Sequence, residues 1–248
     1  MTVLGLAAAF FVTALLYAAV GFGGGSTYNA LLALSGVDYR ILPLIALTCN
    51  IIVVAGSTVR FARARITPWR KALLVTGLAA PAAFIGGAIP IAEDVFTTVL
   101  GLSLVFAGAA LLFQRVGTGD APPPRHAGLV AVAAVPIGLL AGITGIGGGI
   151  FLAPLLHLVR WAETRAVAAT ASLFILVNSL FGLAGQLLKG GPDRLSTAIS
   201  FGLPLMVAVA VGGQIGSLLL TRKLPALWIR WGTAALTLYA GARLLLGM

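Results

Sequence analysis

The chain has 248 residues, of which 60% are hydrophobic and only 9% charged, with a formal net charge of +10 and a mean hydropathy of +1.08. That composition excludes a soluble surface and describes an integral membrane protein. The basic residues stand at the ends of apolar runs rather than on one face, so they read as topology signals and not as a nucleic-acid footprint.

The first apolar run covers 2–20. No basic residue precedes it and no small-residue cleavage pattern follows, so it reads as a membrane helix and not as a removed signal peptide. Further runs follow at 26–36, 41–60, 69–91 and 95–114, and then at 127–145, 147–160, 164–187, 196–220 and 226–247. A hydrocarbon core of about 30 Å needs about 20 helical residues to cross it, so the runs at 26–36 and 147–160 are short. The expected fold is all-α: about eight full transmembrane helices plus two short, broken ones. Trp69, Trp161, Trp228 and Trp231 fall near run ends, as interfacial anchors do. The single cysteine, Cys49, excludes an intrachain disulfide and reads as a small packing residue.

Arg115 to His126, RVGTGDAPPPRH, has the Pro, Gly and charge content of an exposed linker. It divides the chain into an N-terminal repeat, 1–114, and a C-terminal repeat, 127–248. The halves match at GFGGGSTYNALLAL and GIGGGIFLAPLLHL, and again at Gly86-Gly87 and Gly212-Gly213, in the same order. Charge sets their relative orientation. Arg60, Arg63, Arg65, Arg70 and Lys71 mark a cytoplasmic loop, and the next break holds Glu93 and Asp94. In the second half the order reverses: Lys189, Asp193 and Arg194 come first, and Arg222, Lys223 and Arg230 follow. An inverted repeat accounts for this, with both termini outside and the linker and the Arg160/Arg165 loop inside. A parallel repeat with four helices per half and two dipping segments is the competing topology.

Each glycine triplet opens a short apolar segment, Ser26 to Leu34 and Ile150 to Leu158. Glycine costs about 1 kcal/mol per residue in a helix relative to alanine, so three in a row mark an unwound backbone. Within a bilayer such a break is buried in protein or lines a cavity. A helix starting there aims its amides and positive dipole end at a neighbour, which suits an anion. Gly23, Gly24, Gly25, Ser26, Thr27, Gly147, Gly148 and Gly149 are therefore the expected binding residues. Gly86, Gly87, Gly212, Gly213 and Gly216 read instead as close-packing positions between helices.

Thr48, Asn50, Thr170, Ser172 and Asn178 lie on the long runs after each short segment, where they can complete a polar cage; Ser179 lies beside Asn178. Interhelical hydrogen bonding is the other role open to each of them. His157 reads as an interfacial or hydrogen-bonded residue. Asp38, Glu93, Asp94, Asp120, Glu163 and Asp193 all fall at breaks, so no membrane-embedded carboxylate argues for a cation carrier. No metal site, cofactor or catalytic nucleophile with its base is indicated, and the expectation is a transporter rather than an enzyme.

GFGGGSTYNALLAL and GITGIGGGIFLAPLLHL resemble the paired glycine motifs of the TauE/SafE sulfite exporter family. The second is the nearer match, with Pro154 in the family's place, whereas the first has Ala30 there. The resemblance extends over essentially the whole chain. It implies a secondary transporter of the bacterial inner membrane that moves sulfite, related sulfur anions or organosulfonates, with export as the expected direction. Its partners are then a small anionic substrate and the lipid bilayer. A passive anion channel using the same site is the alternative.

Overall fold

The computed structural model describes residues 2–113, 127–190, 192–218 and 226–247. The expected linker and the basic residues Arg222 and Lys223 lie outside them. Ten α-helices account for nearly all of the described chain: α1 Val3–Val20, α2 Gly25–Leu34, α3 Leu42–Arg63, α4 Trp69–Ala88, α5 Glu93–Phe113, α6 Ala127–Thr144, α7 Gly149–Leu158, α8 Thr164–Lys189, α9 Pro192–Leu218 and α10 Ala226–Leu245. Helices satisfy backbone polar groups without solvent, as a lipid environment demands. Their ends are written locally. Gly21, left-handed at φ 82°, closes α1 with its amide on the Ala18 carbonyl, while the Phe22 amide reaches Tyr17. Proline starts α3, and Arg60 and Arg63 occupy its last turn.

Five helices combine the length and apolarity needed to cross a bilayer: Leu42–Arg63, Trp69–Ala88, Glu93–Leu112, Thr164–Lys189 and Asp193–Leu218. Shorter apolar helices cover Val3–Ala19, Gly128–Thr144 and Gly149–Leu158. Large apolar side chains point outward along them, among them Leu74 and Ile85 on α4, Phe106 on α5 and Val207 on α9. A ring of exposed leucine, valine and phenylalanine on this scale is a lipid-facing surface. The chain is a multi-pass membrane protein.

Small residues set the helix contacts, as packing rather than the hydrophobic effect must drive association in lipid. Gly138 and Gly142 of α6 lie against the carbonyls of Ala79 and Ala83 of α4, so these two helices run parallel. Gly212 and Gly216 of α9 lie against the carbonyls of Phe11 and Leu15 of α1, making a second parallel pair. Gly86 meets Leu139 and Gly87 meets Gly182, in both cases at the carbonyl oxygen, which is the close-packing role expected for them. Gly213 differs. A Cβ there would be in ordinary contact with Val53, at 3.5 Å. Packing also links α3 to α8, α5 to α10, α2 to α10 and α5 to α7.

Two contacts identify the ends of the bundle. The Lys71 ammonium stands 5.6 Å from the centre of the Trp161 ring, bringing the basic α3–α4 loop to the α7–α8 loop. Lys189 Nζ donates to the Ile89 carbonyl at 3.2 Å, joining the α8–α9 and α4–α5 loops at the other end.

Candidate functional site

The two glycine segments approach the middle of α3 from its opposite ends. Gly21 packs on the ring of Phe61, near the C-terminus of α3, and from there the chain rises to Gly23 and Gly25 beside Asn50. Gly145 packs on Pro43, at the N-terminus of α3, and the chain descends to Gly147, also beside Asn50. Helices α2 and α7 then leave this level in opposite directions, α2 toward the Asp38 turn and α7 toward the Arg160 turn.

Glycine is required here for two reasons. Gly145, Gly147 and Gly148 have φ of 78°, 83° and 78°, a region that side chains strain. Space is the second. A Cβ on Gly23 would lie 2.8 Å from Asn50 Oδ1, and one on Gly147 would lie 2.7 Å from Asn50 Nδ2 and 3.1 Å from Ser179 Oγ. One on Gly25 would strike the Ile146 carbonyl and Asn50 Nδ2. The motifs are not identical in shape, since Gly24, the N-cap of α2, has φ −92° and ψ 17°.

Asn50 is the residue that the two motifs share. It is fully buried, and its Nδ2 donates to the Ile146 carbonyl at 3.1 Å, which orients the amide and turns Oδ1 toward Gly23. That Oδ1 has no hydrogen-bond partner, and neither has the buried hydroxyl of Ser179. Unpaired buried polar atoms cost about 1–3 kcal/mol each. Both short helices begin without a side-chain cap. Within α2 the Tyr28 amide is bonded to the Gly24 carbonyl, and in α7 those of Phe151 and Leu152 turn back to Gly148. The preceding first-turn amides have no intrahelical acceptor, as at every helix start. A buried polar cluster with helix N-termini on two sides therefore sits beside the middle of α3. Among the described residues no Asp, Glu, Lys or Arg is buried, and no group of three His, Cys, Asp or Glu is placed to hold a metal.

The remaining expected residues separate. Gly24 faces Tyr28 and Thr13, Gly148 faces Phe174, Ile137 and Ala141, and Gly149 faces Ile175. Ser26 and Thr27 are buried, and the Thr27 hydroxyl meets the Tyr17 phenol at 2.9 Å, toward α1. Thr48 and Thr170 donate to Leu44 and Ala166 of their own helices, each at 2.8 Å. Ser172 accepts from Thr58 across the α3–α8 seam at 3.4 Å, and Ser57 beside it has an unpartnered hydroxyl. Asn178 donates to the Phe174 carbonyl at 2.8 Å and leaves Oδ1 unpaired.

Three participants are missing from the sequence reading. The Ile146 carbonyl is a backbone group that no side-chain pattern announces. Tyr17 sits among apolar residues of α1, where a lone phenol was the available signal. Asn29 is fully buried on α2 with neither amide atom bonded, and an asparagine in so short an apolar helix was already a mark of it.

A family model described as "Sulfite exporter TauE/SafE" matches residues 6–244. The chain is 37% identical to a probable membrane transporter protein, y4hK, of Sinorhizobium fredii, over 98% of both chains. It is 26% identical to the probable membrane transporter protein MamO of Magnetospirillum gryphiswaldense, over 75% of this chain and 35% of that one. It is 34% identical to Sulfite exporter TauE/SafE family protein 1 of Arabidopsis thaliana, over 45% of this chain and 23% of that one. No solved structure matches.

Proposed function

The chain belongs to the sulfite exporter TauE/SafE family, and from that premise we propose that it is a secondary carrier exporting sulfite or a related sulfur-containing anion across the bacterial inner membrane. The anion is held at the level of Asn50, between the first turns of α2 and α7. The observation that carries this reading is the closure of Gly23, Gly25 and Gly147 around one buried amide whose oxygen lacks a partner. Helix N-termini on two sides supply donors and positive dipole ends without a buried cation. Asn50 Oδ1 is an acceptor, so it suits an anion that carries a hydroxyl proton, as hydrogensulfite does.

The halves act as an inverted repeat. In favour of this, packing partners exchange between halves: α1 pairs with α9 as α6 pairs with α4, and α2 touches α10 as α7 touches α5. The short helices also leave the Asn50 level in opposite directions. Inverted repeats with broken helices at the midplane suit alternating access. The basic residues of the α3–α4 loop support a cytoplasmic position for the Lys71 end.

Counterflow in proteoliposomes tests the function. Vesicles loaded with unlabelled sulfite are expected to accumulate labelled sulfite transiently, with thiosulfate, sulfate and small sulfonates ranked by competition. Flux that is neither saturable nor trans-stimulated is the behaviour of a passive channel and rejects the carrier. No flux of any of these anions rejects the family-level substrate.

A further inference from the structure

Away from Asn50, at the end opposite Lys71, a cavity of about 340 Å³ opens between the α2–α3, α4–α5 and α8–α9 loops. Those loops, with the helix ends that flank them, carry four carboxylates, Asp38, Glu93, Asp94 and Asp193, and three cations, Arg40, Lys189 and Arg194. All three cations line the cavity and none of the carboxylates does. Arg40 is exposed, while Lys189 and Arg194 are half-buried, and no ion pair joins any of them to a carboxylate among the described residues. The Lys189 ammonium donates to the Ile89 carbonyl and Arg40 Nε to the Tyr39 phenol at 3.4 Å, while the Asp38 carboxylate accepts from the Arg40 backbone amide at 2.9 Å. Charges at a concave mouth with low-dielectric walls raise the local concentration of counter-ions.

The floor of the cavity leads inward. Gln186 and Pro43 line it. Gln186 Nε2 donates to the Gly142 carbonyl at 2.9 Å, and Pro43 packs on Gly145, four and two residues before Ile146 and Gly147 respectively. At about 30 Å³ of liquid per water molecule, the cavity has room for an anion that still keeps most of its hydration.

We propose that this mouth is a second anion site, an outer vestibule in which Arg40, Lys189 and Arg194 bind a small hydrated oxyanion as it leaves the carrier on the face opposite the Lys71 loop, a site that substrate supplied from that face enters when the carrier runs in reverse. It rests on the carrier reading only for the identity of the anion. An anionic lipid headgroup offers the same oxyanion chemistry from the bilayer edge.

The experiment compares wild type, R40Q/K189Q/R194Q and D38N/D94N/D193N in phosphatidylcholine liposomes, with sulfite added on the vestibule face and ionic strength varied. The expected result is a KM about tenfold higher for the arginine–lysine variant, a turnover rate within twofold of wild type, and loss of most of the salt dependence. The carboxylate variant is expected to keep or lower the KM. An unchanged KM and salt dependence in the basic variant overturns the vestibule. Adding phosphatidylglycerol separates the sources: if headgroups compete for this site, they raise the wild-type KM and leave the basic variant alone. Equilibrium binding of labelled sulfite to the solubilised full chain keeps the two readings apart. Binding that is weakened in the basic variant, without flux in wild type, rejects the carrier and retains the vestibule; flux with equal binding in both does the reverse.

Discussion

Asn50 and Ile146 stand ninety-six residues apart in sequence, and the side-chain amide of the first donates to the carbonyl of the second at 3.1 Å. This bond ties the middle of a long helix in one half to the glycine loop of the other. It also fixes which end of the Asn50 amide is left unpaired.

Substitutions at Asn50 separate electrostatics from packing. Asn50→Ala removes the bond and strands the Ile146 carbonyl, costing about 1–3 kcal/mol, seen as a lower Tm. Asn50→Asp removes the same donor and adds a negative charge where the anion is proposed to sit. Sulfite flux is expected to fall about tenfold in the first and at least about 100-fold in the second. Equal losses in both variants would mean that Asn50 acts only as a structural tie.

Glycines of the helix seams are expected to divide by what surrounds them. A Cβ at Gly142 would press on the Ala83 carbonyl and the Gly87 amide, whereas nothing lies within 4 Å of the same position on Gly77. Gly142→Ala should therefore part α4 from α6 and destabilise by about 1–3 kcal/mol. Gly77→Ala, on the exposed face of α4, should be neutral or stabilise by up to about 1 kcal/mol through helix propensity. Thermal unfolding of the purified proteins compares the two, and a Gly142→Ala protein as stable as wild type contradicts the seam.

The helices and the glycine breaks were legible in the sequence because each is a local property. Apolar length marks a helix, and three adjacent glycines mark a broken one. The short segments starting at Gly25 and Gly149 lie within a residue of where composition put them. Which polar residues meet at the breaks was not legible, because that depends on how helices from different halves are turned toward each other. Thr48 and Asn50 are two residues apart, yet only Asn50 faces the glycines while Thr48 bonds back to Leu44. Thr170 likewise bonds to its own helix, the default for a threonine with no partner across a seam. The cavity lined by Arg40, Lys189 and Arg194 was illegible for the same reason, since Arg40 comes from the α2–α3 loop and the other two from the helix ends flanking the distant α8–α9 loop.

The α3–α8 seam offers a direct check on movement. Thr58 and Ser172 oxygens are 3.4 Å apart, on the Lys71 side of Asn50. Alternating access requires this seam to open when the site faces that end. Cysteines at both positions are expected to cross-link with copper phenanthroline or mercury and to stop sulfite flux, with recovery on reduction or chelation. The native Cys49 is fully buried and is expected to stay unreactive. Undiminished flux in the fully cross-linked protein removes the seam from the transport cycle.

Orientation can be read with single cysteines and a membrane-impermeant maleimide applied to intact cells. Arg63 ends α3 at the basic end of the bundle, whereas Asp94 and Asp193 lie in the first turns of α5 and α9 at the other. Arg60, Arg63, Arg65, Arg70 and Lys71, with no acid among them, assign that end to the cytoplasm in the proposed topology. Cysteine at Asp94 and at Asp193 should therefore label from outside, and cysteine at Arg63 only after permeabilisation. Those two positions come from different halves and from non-equivalent places in them, Asp94 at the start of the fifth helix of the first half and Asp193 at the start of the fourth helix of the second. Common labelling is what an inverted pair of repeats requires, while a parallel arrangement would put one of the two on the cytoplasmic side.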